Sequence, residues 1–337
     1  MRTIPIEPAL VHGAVSFEHR HQAHWPLRLP HRDVPLLDAG QKLARQVRLP
    51  VGVRVRLATS TRCLRLRVDP TDKDRQCDLV IDGRLVQSAA LPAGQEWLEF
   101  EPLQAGGRVL EVWLPVKSDD PTGLVALEVD DDASAEPAPD DRPRWTAYGS
   151  SITQCAAAHS PVRTWPATVA REAGLNLTCL GFGGACNLEP LVAMAIRDLP
   201  ADFVSLKVGI NVYGGGTLNA VTYPAAVYGL VRTIRQAQPT TPIALVSPIA
   251  SPDREDRPNA VHLTLGDYRE MTRRAAIALN ERGDTHLYYF DGRELLGQAD
   301  AHLLHDGLHP NGDGYELIAE RFAKRVLSRI HLDEVRG

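Results

Sequence analysis

Apolar and polar residues alternate along much of the first 130 positions of the chain. Val51, Val53, Val55 and Leu57 form one such stretch, and Leu64, Leu66 and Val68 another. DLVIDGRLV (78–86), RVLEVWLPV (108–116) and GLVALEV (123–129) continue the rhythm between turns carrying DG, AGG and DDPTG. A period of two places alternate side chains on one face of a strand. This half therefore predicts short antiparallel strands packed as a β-sandwich or jelly roll.

The rhythm stops at DDDASAEPAPDDRPR (130–144), which is acidic, rich in Ala and Pro and without apolar period. It reads as a solvated linker over 131–142, between a first domain at 1–130 and a second at 143–337. Beyond it, strand-like runs at 144–149, 175–184, 203–211, 242–250 and 286–292 alternate with helical runs at 164–175, 187–199, 223–238, 264–282 and 314–330. That alternation predicts an α/β domain, a parallel sheet with helices on both faces.

Ligands of such sheets gather at the carboxyl ends of the strands, so the residues just after each strand carry the most information. The first strand runs into Gly149-Ser150-Ser151-Ile152-Thr153, the second into Gly181-Phe182-Gly183-Gly184, and the third into Gly209-Ile210-Asn211. Asp306-Gly307-Leu308-His309-Pro310 stands before the last helix. A serine hydroxyl attacks only when a base removes its proton, and the base needs a carboxylate to fix its tautomer. Ser151, His309 and Asp306 are candidates for these roles. The N–H groups of Ser151 and Gly184, with the Asn211 side chain, are candidate donors to an oxyanion. Each block alone is an ordinary turn or cap; four in order at strand ends are not. The G-x-S-x-G elbow of another hydrolase fold does not fit, since Thr153 stands where its second glycine would be.

The succession Ser151, Gly184, Asn211, then Asp306 with His309 resembles the four blocks of the SGNH (GDSL) hydrolase family. The resemblance implies a flavodoxin-like α/β/α sandwich over 144–331, a Ser-His-Asp triad and an oxyanion hole of Ser151, Gly184 and Asn211. Ser150 stands where the family has aspartate, Cys179 where its second block begins with Asn, and Val212 where Asp commonly follows the third-block Asn. With the β-sandwich in front, the chain is similar to two-domain carbohydrate esterases and to bacterial GDSL-type esterases and acyltransferases. That implies a small-molecule ester or acyl donor, with water, a sugar or a natural-product hydroxyl as acceptor, and no cofactor or metal. A carbohydrate-binding protein without catalysis is the reading from another class.

Ser150, Trp165, Tyr213 and His262 lie near these blocks or in the loop after the fourth strand and are expected to line the pocket. That loop, 252–265, is long and polar and is expected to act as a lid. Lys207, in an otherwise apolar strand, would need a partner if buried. Composition narrows the picture further. A net charge of −5 with scattered basic residues argues against nucleic acid. No apolar run reaches the length of a membrane span or a secretory leader core, and five cysteines without paired spacing read as reduced, as in a cytoplasmic protein.

Overall fold

A computed structural model describes residues 1–37, 42–101, 103–104, 106–117 and 120–330; the last positions of the expected second domain, 331–337, lie outside them. The chain forms two compact units, one of residues 1–142 with 158–163, the other of 143–157 with 164–337.

The first unit holds two antiparallel sheets. One runs Ser16–Arg20, Ala23–Leu27, Leu124–Val129, Leu64–Val68, Trp97–Phe100, with Arg2–Pro5 also on Leu124–Val129. The other runs Ala135–Pro137, Arg54–Thr59, Arg108–Trp113, Arg75–Ile81, Arg84–Leu91, with Val11–His12 on Arg54–Thr59. Inward residues of both sheets, among them Val55, Leu57, Leu66, Leu79, Phe100, Val112 and Leu127, share one core. The expected linker is a correction. Ala135–Pro137 is an edge strand on Leu57–Thr59, and Asp140, its side chain 1% exposed, meets Arg54 and Arg142 at 3.1 and 2.5 Å. The acidic residue there neutralises a buried arginine rather than facing water.

The second unit is a five-stranded parallel sheet of β1 (Arg144–Gly149), β2 (Asn176–Gly181), β3 (Phe203–Lys207), β4 (Ile243–Val246) and β5 (Leu287–Phe290). Its order is β2-β1-β3-β4-β5, parallel throughout. The helices are α1 (Ser151–Gln154), α2 (Trp165–Glu172), α3 (Pro190–Asp198), α4 (Ile210–Gly215), α5 (Thr222–Arg235), α6 (Leu265–Asn280) and α7 (Gly312–Arg325). α2 packs with α7, while α3, α5 and α6 pack in succession, giving the flavodoxin-like α/β/α sandwich. Trp145, Trp165, Phe203 and Phe322 form the aromatic centre of one layer, with ring centroids 4.9–6.4 Å apart. The strand order reverses around β1, so the ends of β1, β2 and β3 are where such a sheet opens a crevice. Among the described residues, no helix is long and apolar enough to cross a membrane.

Candidate active site

β1 ends at Gly149, and Ser150 caps the four-residue α1. Its buried Oγ accepts the Ile152 N–H at 3.2 Å. This makes Ser151 the first helical residue, whose N–H has no carbonyl to meet within the helix. Two glycines let so short a helix lie directly on the sheet. A Cβ on Gly149 would stand 2.1 Å from Thr153 Oγ1, and one on Gly181 would stand 2.4 Å from the Gln154 backbone nitrogen. Ser151 is half-buried, and its Oγ lies 2.8 Å from His309 Nε2.

The Asp306–His309 turn is tied at its neck by the His305 N–H on the His309 carbonyl, 3.0 Å, and by a bridge between Leu304 and Pro310. Asp306 Oδ1 accepts the Leu308 and His309 N–H groups at 3.0 and 2.6 Å, and Oδ2 lies 2.6 Å from His309 Nδ1. Partial burial works to raise the Asp306 carboxyl, but the hydrogen bonds from His309 and Leu308 and the nearby imidazole outweigh it. They hold the group well below the usual carboxylate range. An ionised carboxylate at Nδ1 keeps the proton on that nitrogen and leaves Nε2 free to accept from the serine hydroxyl. From the loop after β4, Ser251 Oγ and Arg254 Nη1 donate to the Gly307 carbonyl at 2.7 and 3.2 Å, steadying the turn from outside.

Gly184, exposed and at φ +66°, follows a turn fixed by Gln154, whose buried side-chain oxygen accepts the Gly183 N–H at 2.8 Å. Asn211, near the start of α4, accepts the Cys186 N–H on Oδ1 at 3.0 Å, which leaves Nδ2 as its outward donor. Among the described residues, the Ser151 N–H, the Gly184 N–H and Asn211 Nδ2 meet no protein acceptor. Lys207 pairs in register with Gly149 on the neighbouring strand. It is 3% exposed, and its Nζ meets no acceptor among the described residues. Burial lowers its amine to about 8, with the Cys186 and Cys155 thiols opposing and Arg269 assisting.

Three of the expected pocket residues do structural work instead. Ser150 is the α1 cap. Trp165, 1% exposed, donates from Nε1 to the Ile152 carbonyl at 2.8 Å and packs on Trp145 and Phe322. The buried Tyr213 donates its hydroxyl to the Arg257 carbonyl at 3.0 Å and meets Tyr268 edge-on. Both are large aromatics with one polar atom that burial forces to find a partner. His262 is exposed at φ +60° on a turn held by Asn259. The expected lid is fastened: buried Arg269 grips Glu255 through two hydrogen bonds of 2.9 and 3.0 Å, and Asn259 Nδ2 reaches the Tyr213 carbonyl at 3.0 Å. Sequence reasoning misses Gln154, Ser251 and Arg254, because each acts on a backbone group far along the chain.

Residues 144–328 match the GDSL-like lipase/acylhydrolase family. Among solved structures, the salicylyl-acyltransferase SsfX3 from a tetracycline biosynthetic pathway is 32% identical, with 97% of each chain covered and a TM-score of 0.89. A GDSL-like lipase from Bacteroides ovatus is 20% identical over 99% of this chain and 98% of its own, TM-score 0.78. A family two carbohydrate esterase from Clostridium thermocellum, in complex with cellohexaose, is 14% identical over 84% and 94%, TM-score 0.66. At these lower identities the likeness is one of fold. No curated protein matches the chain.

Proposed function

Since the chain belongs to the GDSL-like lipase/acylhydrolase family, and is an enzyme of the esterase or acyltransferase type, we propose that Ser151, His309 and Asp306 perform acyl transfer through a serine ester, with water as acceptor. The observation that carries this reading is the continuous hydrogen-bonded line from Ser151 Oγ through the His309 ring to Asp306, with steps of 2.8 and 2.6 Å.

Ser151 Oγ attacks the carbonyl carbon of an ester while His309 Nε2 takes its proton, and Asp306 steadies the imidazolium through Nδ1–H. The carbonyl oxygen becomes an oxyanion, for which the Ser151 N–H, the Gly184 N–H and Asn211 Nδ2, which meet no protein acceptor among the described residues, are the proposed donors. His309 returns the proton to the leaving alkoxide, then draws one from water, which cleaves the acyl-enzyme. The substrate class is a small-molecule or carbohydrate ester. A second reading, transfer to a sugar or natural-product hydroxyl, is favoured by the 32% identity to a salicylyl-acyltransferase along nearly the whole chain. It changes only the molecule from which His309 draws the second proton.

Turnover of p-nitrophenyl acetate, with and without alcohol acceptors, tests both. The wild type should release p-nitrophenol and be labelled by a serine-directed phosphonate, and Ser151→Ala should do neither. A wild type inert to both reagents would remove the catalytic reading; an acylated acceptor in place of free acid would select the second.

A further inference from the structure

The turn that carries Asp306 and His309 also carries His305, whose imidazole has no part in the acyl transfer above. His305, Asp306 and His309 each offer one ligand atom, and these atoms lie within 4.8 Å of one another. His305 Nε2 is 4.0 Å from Asp306 Oδ2, and the His305 and His309 rings stack with centroids 6.0 Å apart. The backbone bonds at the neck of the turn hold the three side chains together without help from an ion. All three are open to solvent, their side chains 47%, 45% and 30% exposed. Two imidazoles and one carboxylate are a donor set for zinc-type ions, at about 2.0–2.2 Å from each atom. Ligand atoms around such an ion stand roughly 3–3.5 Å apart. His305 must therefore move in slightly, and the short Asp306–His309 contact must open.

We propose that this turn binds a divalent ion of the zinc type through His305, Asp306 and His309, and that the ion switches His309 off as a base. The switch rests on the reading of His309 given above; the binding does not. A neutral imidazole that coordinates a metal through Nδ1 carries its single proton on Nε2. The bond from Nδ1–H to Asp306 gives way to two bonds to the ion, the proton moves to the other ring nitrogen, and none is released. Nε2 then faces Ser151 as a donor and has no lone pair with which to take the hydroxyl proton. Magnesium and calcium, which favour all-oxygen shells, do not substitute.

Zinc chloride titrated calorimetrically into the wild type and His305→Ala reads binding without reference to activity. Ester turnover and phosphonate labelling at the same zinc concentrations, with a magnesium control and EDTA reversal, read the switch. The expected result is one zinc per wild-type chain, binding at least about 10-fold weaker in His305→Ala, and inhibition shifted by the same factor while metal-free turnover stays unchanged. Equal zinc affinity in both proteins, or none in the wild type, overturns the site. Zinc-loaded wild type that is labelled at the metal-free rate overturns the switch. If zinc binding depends on His305 but no ester is ever cleaved, the site stands and the esterase reading falls.

Discussion

Asp306 engages both carboxylate oxygens within its own turn, Oδ1 with two backbone N–H groups and Oδ2 with His309 Nδ1. An amide has one acceptor oxygen where the carboxylate has two, so Asp306→Asn leaves either the backbone or the imidazole facing an NH2 group. The expected loss is about 10³–10⁴ in kcat with little change in melting temperature, checked by steady-state ester turnover beside a thermal melt. The carboxyl is held below its ordinary range, so the stability it contributes is complete above about pH 4. That stability is lost only as pH falls further, toward the depressed folded value. Loss of activity between pH 5 and 7 would therefore not come from Asp306. At Ser150 the departure from the family's aspartate changes little locally, because both side chains are good helix caps. The proposed triad is legible in the chain because an acid and a base stand three residues apart in one turn, in order behind a serine. Gln154 and Ser251 are not, since the N–H and the carbonyl they hold lie 29 and 56 residues away and leave no local pattern.

Among the elements, the long strands and helices follow their hydrophobic periods closely, and the short ones escape them. Ala135–Pro137 is an edge strand of three residues with a proline, too short and too polar to alternate visibly, and its pairing comes from Arg54–Thr59. α1, of four residues, is shorter than any period and is readable only from its cap. Its position depends on the absence of side chains beneath it. In Gly181→Ala, the new methyl would lie 2.4 and 2.6 Å from the Gln154 nitrogen and the Thr153 carbonyl carbon, both backbone atoms. The helix would have to lift away from β2, carrying Ser151 with it. A displacement of this kind is expected to lower kcat by about 10² and stability by about 1–3 kcal/mol. A variant with wild-type phosphonate labelling would show that α1 is not seated this tightly.

At the scale of the whole molecule, the central strand of the sheet ends in the buried Lys207, whose Nζ meets no acceptor among the described residues. Its amine is lowered to about 8, so between that pH and about 10.4 the unfolded chain binds a proton that the native state does not. Wild-type stability should rise with pH across that window. Lys207→Met, of similar length and without charge, should melt a few degrees higher at pH 7 and lose the rise; a lower melting point at pH 7 would mean that the amine has a partner. The unit boundaries have a different consequence. Residues 158–163, which follow α1, group with the sandwich unit, where the Val162 N–H is received by Asp78, itself bound by Ser88. The chain thus enters the hydrolase unit, leaves it for six residues and returns. A gene fragment beginning at 143 would encode a catalytic half carrying a loop made for a partner it no longer has. The hydrolase part of this protein is therefore not a cassette that can be shuffled between scaffolds with one cut; it travels with its sandwich or with a redesigned loop.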